Sequence, residues 1–133
     1  MARIVVLDDH FDVCIGIETI LNSLGHTVRT ASTGDEAIDF CYLFQPDILI
    51  TDWDLNSDYN GIEVSEAYHA ANPNGKTILI SGFKEAVFGQ GSNQDGIFQT
   101  LAKPFSMSQL SDVVEAAVET IATRPPSHPK TIY

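Results

Sequence analysis

The sequence predicts an α/β fold in which five parallel strands form one doubly wound sheet with helices on both faces. Three observations support this prediction. Short apolar runs of strand length recur along the 133 residues, and segments with a helical period of apolar residues lie between them. Several runs are apolar throughout and rich in β-branched residues, as in strands that are buried on both faces. Alternation of this kind is typical of a parallel sheet covered by helices.

The first elements are a strand, an acidic turn, a helix and a second strand. The apolar run over residues 4–7 ends in two aspartates. From residue 12 the apolar side chains fall on one helical face, and Gly25 stands where a left-handed C-cap is favoured. Residues 26–31 alternate and include an arginine, which indicates an edge strand.

A second helix and the central strand follow. Thr33 and Glu36 match a capping box that opens the helix. Pro46 ends this helix, because proline disfavours helical geometry in the residue before it. The apolar run over 48–51 then forms the central strand, and the polar segment 55–61 is expected to be a loop.

The second half contains one weak element between well-marked ones. The well-marked elements are a helix through residues 64–71, strands over 77–80 and 97–102, and a last helix that a Ser106–Gln109 capping box opens. Between those strands, glycines at 89, 91 and 96 each cost about 1 kcal/mol relative to alanine in a helix interior. We therefore expect a short or mobile helix there. Residues 1–123 are expected to form one domain, and the proline-containing tail 124–133 to lie on its surface.

Composition and charge exclude several classes of function. Apolar residues make up 44% and charged residues 19%, as in globular proteins, and the net charge of -11 argues against binding to nucleic acid or to an anionic membrane. No apolar run approaches the ~20 residues that span a bilayer, and the first residues do not resemble a signal peptide. Cys14 and Cys41 form no CxxC motif, so neither a disulfide framework nor a zinc site is expected. We expect a cytoplasmic protein.

Polar side chains follow four of the predicted strands. They are Asp8 and Asp9 after the first strand, Asp52 after the third, Ser81 after the fourth and Lys103 after the fifth. Because parallel strands end at one edge of a sheet, these side chains are expected to converge. Carboxylates this close need a cation, since each negative charge raises the proton affinity of its neighbours. Ligands that are all oxygen favour Mg²⁺.

A carboxylate beside a metal, a lysine and a hydroxyl is suited to accept a phosphoryl group. Such a transfer consists mostly of positioning and of neutralising charge on the equatorial oxygens. Asp52 would be the nucleophile and form an acyl phosphate, Lys103 and Mg²⁺ would neutralise the oxygens, and Ser81 would donate a hydrogen bond.

The order of these motifs resembles the receiver domain of response regulators, the CheY-like fold of two-component signalling. The resemblance covers residues 3–123 and rests on Asp8-Asp9, Asp52, Gly61, Ser81-Gly82 and Lys103-Pro104-Phe105. It implies a flavodoxin-like sheet with the strand order 2-1-3-4-5. It also implies a switch that catalyses only its own phosphorylation and dephosphorylation, rather than an enzyme.

The resemblance further implies partners and individual roles. Asp52 would take phosphate from a histidine kinase or phosphotransfer protein. Asp9 and Asp52 would bind Mg²⁺ directly and Asp8 through water, and Asp54 would contribute its backbone carbonyl. The phosphoryl group would draw the serine and the lysine towards itself. Their movement would reshape the face formed by the fourth helix, the fifth strand and the last helix.

Three features depart from the usual family pattern. Thr100 stands three residues before the lysine, where the family usually carries Tyr or Phe, so the switch pair would be Ser81 and Thr100. The loop after Asp52 lacks the usual proline and is one residue longer, and the segment 89–96 is rich in glycine.

Because no output domain follows the last helix, we expect a stand-alone receiver that signals through a downstream protein of unknown identity.

Two other functions are compatible with parts of the sequence. Asp52 and Asp54 also fit the DxD motif of haloacid-dehalogenase-like Mg²⁺ phosphatases, although that motif ends the first strand in those enzymes. A module that binds partners without phosphorylation is the other alternative. His10, next to the acidic pair, is interpreted as a loop side chain near the site entrance rather than as a ligand.

Overall fold

The computed structural model describes residues 2–55, 59–82 and 97–123. In chain order the elements are β1 (Arg3–Leu7), α1 (Phe11–Ser23), β2 (Thr27–Ala31), α2 (Gly34–Leu43), β3 (Ile48–Asp52), α3 (Gly61–Ala71), β4 (Lys76–Ser81), β5 (Ile97–Ala102) and the last helix (Met107–Thr123). The predicted short helix, the glycine-rich segment 89–96 and the tail 124–133 lie outside the described residues.

The five strands form one parallel sheet in the order β2-β1-β3-β4-β5. Both the doubly wound fold and the strand order are therefore confirmed. The register keeps the strand ends level, since Leu7 pairs with Thr51, Asp52 with Ile80, and Ser81 with Ala102. Any polar residue at or just beyond these ends consequently lies at the same edge of the sheet.

Apolar side chains cover both faces of the sheet, as the uninterrupted apolar strands predicted. One face packs against α1 and the last helix, and the other packs against α2 and α3. Every residue of β3 is buried. Because fully burying a side chain of this size contributes about 1.5–3 kcal/mol, the central strand is held firmly in register. The largest fully buried side chains in the strands are Ile4, Val5, Leu7, Ile48, Leu49, Ile50, Ile78, Leu79 and Ile80.

Two predicted capping boxes have different outcomes. The box at the last helix is confirmed, with Ser106 N donating to Gln109 Oε1 at 2.7 Å and Gln109 N donating to Ser106 Oγ at 3.0 Å. At α2 only half of the predicted box forms: Glu36 N donates to Thr33 Oγ1. The Glu36 carboxylate instead accepts from the N–H of Ser32, at 3.0 Å, because the long side chain reaches one residue beyond the cap.

The chain leaves α1 and α2 through residues in the left-handed region. Gly25 has a φ of 94°, as its C-cap position predicted, and Gln45 has a φ of 51° directly before Pro46. No helix among the described residues is both long enough and apolar enough to cross a membrane.

Both cysteine thiols are free and buried in helices. Burial raises the pKa of Cys14 to about 11 and the pKa of Cys41 to about 12. Only the thiolate attacks a disulfide reagent, so we expect both thiols to react with DTNB more than ~100-fold slower in the folded protein than after unfolding in guanidinium chloride. Rapid labelling of either thiol under native conditions would contradict this burial.

Candidate functional site

The strand ends bring the predicted polar residues together at one edge of the sheet. Asp8 comes directly after β1, Asp52 and Ser81 are the last residues of β3 and β4, and Lys103 comes directly after β5. The lysine Nζ lies 3.0 Å from Asp8 Oδ2 and 3.1 Å from Asp52 Oδ2. The side chains of Asp8, Asp52 and Lys103 therefore converge as expected.

The centre of this cluster is shielded from water. Asp8 and Asp52 are 2% and 5% exposed, and Ser81 is fully buried. Buried carboxylates are costly unless a cation or hydrogen-bond donors compensate them, and Lys103 meets that need for both. The backbone fixes the lysine, since Lys103 N donates to Ser81 O at 2.8 Å.

Burial and charge shift the pKa values of Asp52 and Lys103. Burial raises the pKa of Asp52, the hydrogen bond and charge of Lys103 oppose that rise, and the negative charge of Asp8 adds to it. Burial lowers the pKa of Lys103, but its hydrogen bonds and charge interactions with the two aspartates are together stronger, and the net pKa is raised. The lysine is thus held in its charged form beside excess negative charge.

His10 is part of the cluster, although the sequence placed it only at the entrance. Its Nδ1 lies 2.9 Å from Asp8 Oδ1 and 3.1 Å from Asp9 Oδ1, and its backbone N–H donates to Asp8 Oδ1 at 2.8 Å. The side chain is 64% exposed, so the entrance position itself is correct. The hydrogen bond with Asp8 and the charges of Asp8 and Asp9 raise the pKa of His10. The only sequence signal for these contacts is its place directly after the acidic pair.

Backbone contacts join the end of β3 to the start of α3. Gly61 N donates to Trp53 O at 3.0 Å, and a Cβ added at Gly61 would overlap the backbone oxygen of Asp52. The helix begins with a reciprocal capping box between Asn60 and Glu63, which the sequence analysis missed although the spacing of these two residues matches the motif. The chain can approach the site this closely only because residue 61 has no side chain.

Two other predicted residues lie beside the cluster rather than in it. The Asp54 side chain is exposed, and its backbone N–H is 3.4 Å from Asp52 Oδ1. Thr100 lies in β5, partly buried and paired with Leu79, and its side chain alternates with that of Leu101 across the sheet. Part of the loop that was predicted to be one residue longer lies at residues 56–58, outside the described residues.

The donor atoms of the cluster fit a divalent cation. Asp8, Asp9, His10 and Asp52 each offer one ligand atom, and these atoms all lie within 4.8 Å of one another. Three carboxylates opposed by one lysine leave a net negative charge, and carboxylate oxygens are the ligands that Mg²⁺ prefers. A hard divalent ion therefore suits both the charge and the chemistry of this site.

Comparison with known proteins agrees with this geometry. The family model of the response regulator receiver domain matches residues 4–115. The chain belongs to this family. Receiver domains of two-component systems act as phosphoacceptor switches, bind Mg²⁺ at an acidic pocket and interact with histidine kinases or phosphotransfer proteins. The predicted family is therefore confirmed.

Similar proteins include short and long relatives of this receiver domain. Sporulation initiation phosphotransferase F of Bacillus subtilis (strain 168) is 25% identical over 113 residues, which cover 85% of this chain and 90% of that protein. Sensor kinase CckA of Brucella abortus (strain 2308) is 29% identical over 120 residues, covering 89% of this chain and 13% of the kinase. The receiver thus spans nearly all of one relative and a small part of the other.

Solved structures show the same receiver fold. NtrX from Brucella abortus, in complex with ADP, has a TM-score of 0.82 and 28% identity, covering 90% of this chain and 27% of that one. A response regulator receiver domain protein from Clostridium thermocellum has a TM-score of 0.81 and 24% identity, covering 92% and 98% of the two chains. The second comparison supports the fold alone.

Proposed function

We propose that this receiver accepts a phosphoryl group on Asp52 from a histidine kinase or phosphotransfer protein, in a Mg²⁺-dependent reaction, and then changes its affinity for a downstream protein. One observation supports this most directly. Lys103 Nζ lies within hydrogen-bonding distance of both Asp8 and Asp52 at the edge where β1, β3 and β5 end. This arrangement sets a fixed positive charge beside the nucleophile.

The reaction needs little covalent chemistry from the protein. A carboxylate oxygen of Asp52 forms a bond to phosphorus while the bond from phosphorus to the donor imidazole nitrogen breaks, leaving an acyl phosphate and a free imidazole. Lys103 would bind an oxygen of the transferred group, and Ser81, at the end of the neighbouring strand, would donate a hydrogen bond to another. Both residues are built on strand ends, so they are positioned before the donor arrives.

The same carboxylates would hold the metal. Asp9 and Asp52 would bind Mg²⁺ directly, Asp8 through water, and Asp54 through its backbone carbonyl. When bound, Mg²⁺ supplies neutralisation of the negative charge on the phosphoryl oxygens.

The output would be a two-state change that the phosphoryl group favours by its contacts. Ser81 and Thr100 are the proposed switch residues, because they lie on the adjacent strands β4 and β5 beyond Asp52. A polar side chain at position 100 would report the state of the site without the aromatic rotation that the family pattern implies. The predictions of a stand-alone, cytoplasmic receiver that binds no nucleic acid and no membrane stay predictions.

The phosphatase alternative is not favoured by the geometry. In that reading the second aspartate of the DxD motif acts at the reacting group, whereas the Asp54 side chain is exposed and makes only a backbone contact with Asp52. The module without phosphorylation is disfavoured by the complete set of carboxylates and the lysine.

Incubation with acetyl phosphate and Mg²⁺, followed by intact-protein mass spectrometry, tests the proposed function. We expect the wild-type protein to gain one phosphoryl group, and both Asp52→Asn and wild-type protein in EDTA to gain none. Asp39→Asn, an exposed aspartate on α2, is the matched control and should label like the wild type. Equal labelling of Asp52→Asn would contradict the proposal, as would repeated turnover of a phosphomonoester by the wild type.

A further inference from the structure

Among the four residues of the acidic cluster that offer a ligand atom to a metal, His10 offers nitrogen and the three aspartates offer oxygen. His10 Nδ1 faces both Asp8 and Asp9 at hydrogen-bonding distance, and a ring nitrogen of His10 lies within 4.8 Å of the ligand atom of Asp52. Its side chain is also not used elsewhere at the helix start, since His10 is the N-cap residue of α1 and makes no side-chain capping hydrogen bond. The imidazole is therefore directed towards the carboxylates by the local turn.

An imidazole changes which ions a carboxylate site prefers. Sites of carboxylates, carbonyls and water suit Mg²⁺, Ca²⁺ and Mn²⁺, whereas imidazole suits Zn²⁺, Ni²⁺ and related first-row ions. Mg²⁺ also gives up its water ligands reluctantly and gains little from a nitrogen donor. A nitrogen next to three carboxylates should accordingly strengthen the binding of Co²⁺, Ni²⁺ or Zn²⁺ more than the binding of Mg²⁺.

We propose that His10 is a metal ligand through Nδ1, so that this receiver binds an imidazole-preferring first-row divalent ion more tightly than its carboxylates alone would. The inference rests on the proposed function, because it concerns the same metal site. His10 determines which ion the site prefers, because the carboxylates of the cluster offer only oxygen ligands.

The environment of His10 allows this coordination with little rearrangement. The hydrogen bond from its backbone N–H to Asp8 Oδ1 fixes the residue beside the carboxylates. On binding, the ion takes the place of the hydrogen between Nδ1 and Asp8 Oδ1, and that proton passes to water, since the ring is 64% exposed. Coordination thus replaces two existing contacts of the same nitrogen by one metal bond.

The single tryptophan gives a direct measurement of binding. Trp53 follows Asp52 in the chain, and its backbone N–H donates to Ile80 O at 2.7 Å, which holds it at the site. Titrations of its fluorescence with Co²⁺ and with Mg²⁺, at one fixed pH, give two association constants for each variant. Their ratio measures the ion preference without any phosphorylation assay.

His10→Gln is expected to lower the ratio of the Co²⁺ to the Mg²⁺ association constant at least ~10-fold. Removing a residue that only supports a metal ligand already lowers metal affinity by about 10–100-fold, so loss of the ligand itself should cost at least the lower of these values. His10→Asn should do the same, and since Asn is a favoured N-cap residue it also keeps α1 stable. In the wild type, the Co²⁺ complex should show hyperfine-shifted imidazole proton resonances in its NMR spectrum. These resonances should be missing from both His10 variants.

His69→Gln is the matched control. His69 lies in the last turn of α3, roughly 12 Å along the helix axis from Gly61, and should leave both the ratio and the shifted resonances unchanged. An unchanged ratio in the His10 variants, an equal loss of affinity for both ions, or persistence of the shifted resonances would each overturn the role of His10. If Mg²⁺ still supports labelling of Asp52, the proposed function survives that result. Failure of the wild type to bind either ion would overturn both proposals.

Discussion

Lys103→Ala is expected to lower the free energy of unfolding by about 2–3 kcal/mol in Mg²⁺-free buffer. The substitution leaves Asp8 and Asp52 buried with no lysine, and removing one partner of a fully buried ion pair costs about 3–5 kcal/mol. The lower value is expected here because the Lys103 side chain is 25% exposed and solvent screens part of its interaction. The loss is nonetheless large compared with the total stability of a domain of this size.

Urea unfolding monitored by Trp53 fluorescence provides the measurement. Lys76→Ala, at the start of β4 and at the other edge of the sheet, is the control and should change stability by less than about 0.5 kcal/mol. The double variant Lys103→Ala/Asp52→Asn should recover part of the loss, because it removes one of the two uncompensated carboxylates. Equal effects of the two lysine substitutions would show that Lys103 does not compensate the buried charge.

Gly61→Ala is expected to destabilise the protein by about 3 kcal/mol and to slow phosphorylation of Asp52. The added Cβ would overlap the Asp52 backbone oxygen and would lie 3.0 Å from Leu79 Cδ1. Neither neighbour can yield easily, since one is backbone and the other is a fully buried side chain. The end of β3 must therefore shift, and displacement of a reacting group by about 1 Å can cost ~100-fold in rate.

Gly16→Ala provides the matched control. Gly16 lies in α1, and a Cβ added there would meet no atom within 4 Å apart from its chain neighbours and the backbone of its own helix. Alanine at that position should stabilise the protein by about 0.5–1 kcal/mol, because glycine disfavours a helix interior. Thermal unfolding and the rate of labelling by acetyl phosphate distinguish the two variants. A stabilising Gly61→Ala would show that α3 does not pack against Asp52 as described.

The sequence predicted the frame of the fold and most of the site because each rests on a local pattern. Apolar runs located the strands, with β5 at the predicted bounds, and polar residues at their ends located the site. The Ser106–Gln109 box was predictable because its two side chains meet within one helical turn. These features need no knowledge of distant parts of the chain.

Other features were not predictable because small differences in geometry decide them. The Glu36 carboxylate can accept a hydrogen bond from the N–H of either Ser32 or Thr33, because its spacing from the cap allows both. In the structure it accepts from Ser32. The pairing of β4 with β5 shifts in register between Thr77 and Ile78. This shift depends on how the two strands fit together rather than on the sequence of either one alone. The contacts of His10 depend on how the turn after β1 folds back on the acidic pair.

The lysine of the site is synthesised long after the carboxylates that it contacts. Lys103 follows Asp8 by 95 residues and Asp52 by 51, so a ribosome completes every carboxylate of the cluster long before it adds the lysine. The strand that precedes the lysine, β5, joins the sheet at its edge beside β4. A nascent chain that has formed the first four strands therefore collects negative charge with no counterion of its own. Addition of the last strand then completes the sheet and brings in the lysine, so that the sheet and the ion pairs with Asp8 and Asp52 form in the same step of assembly.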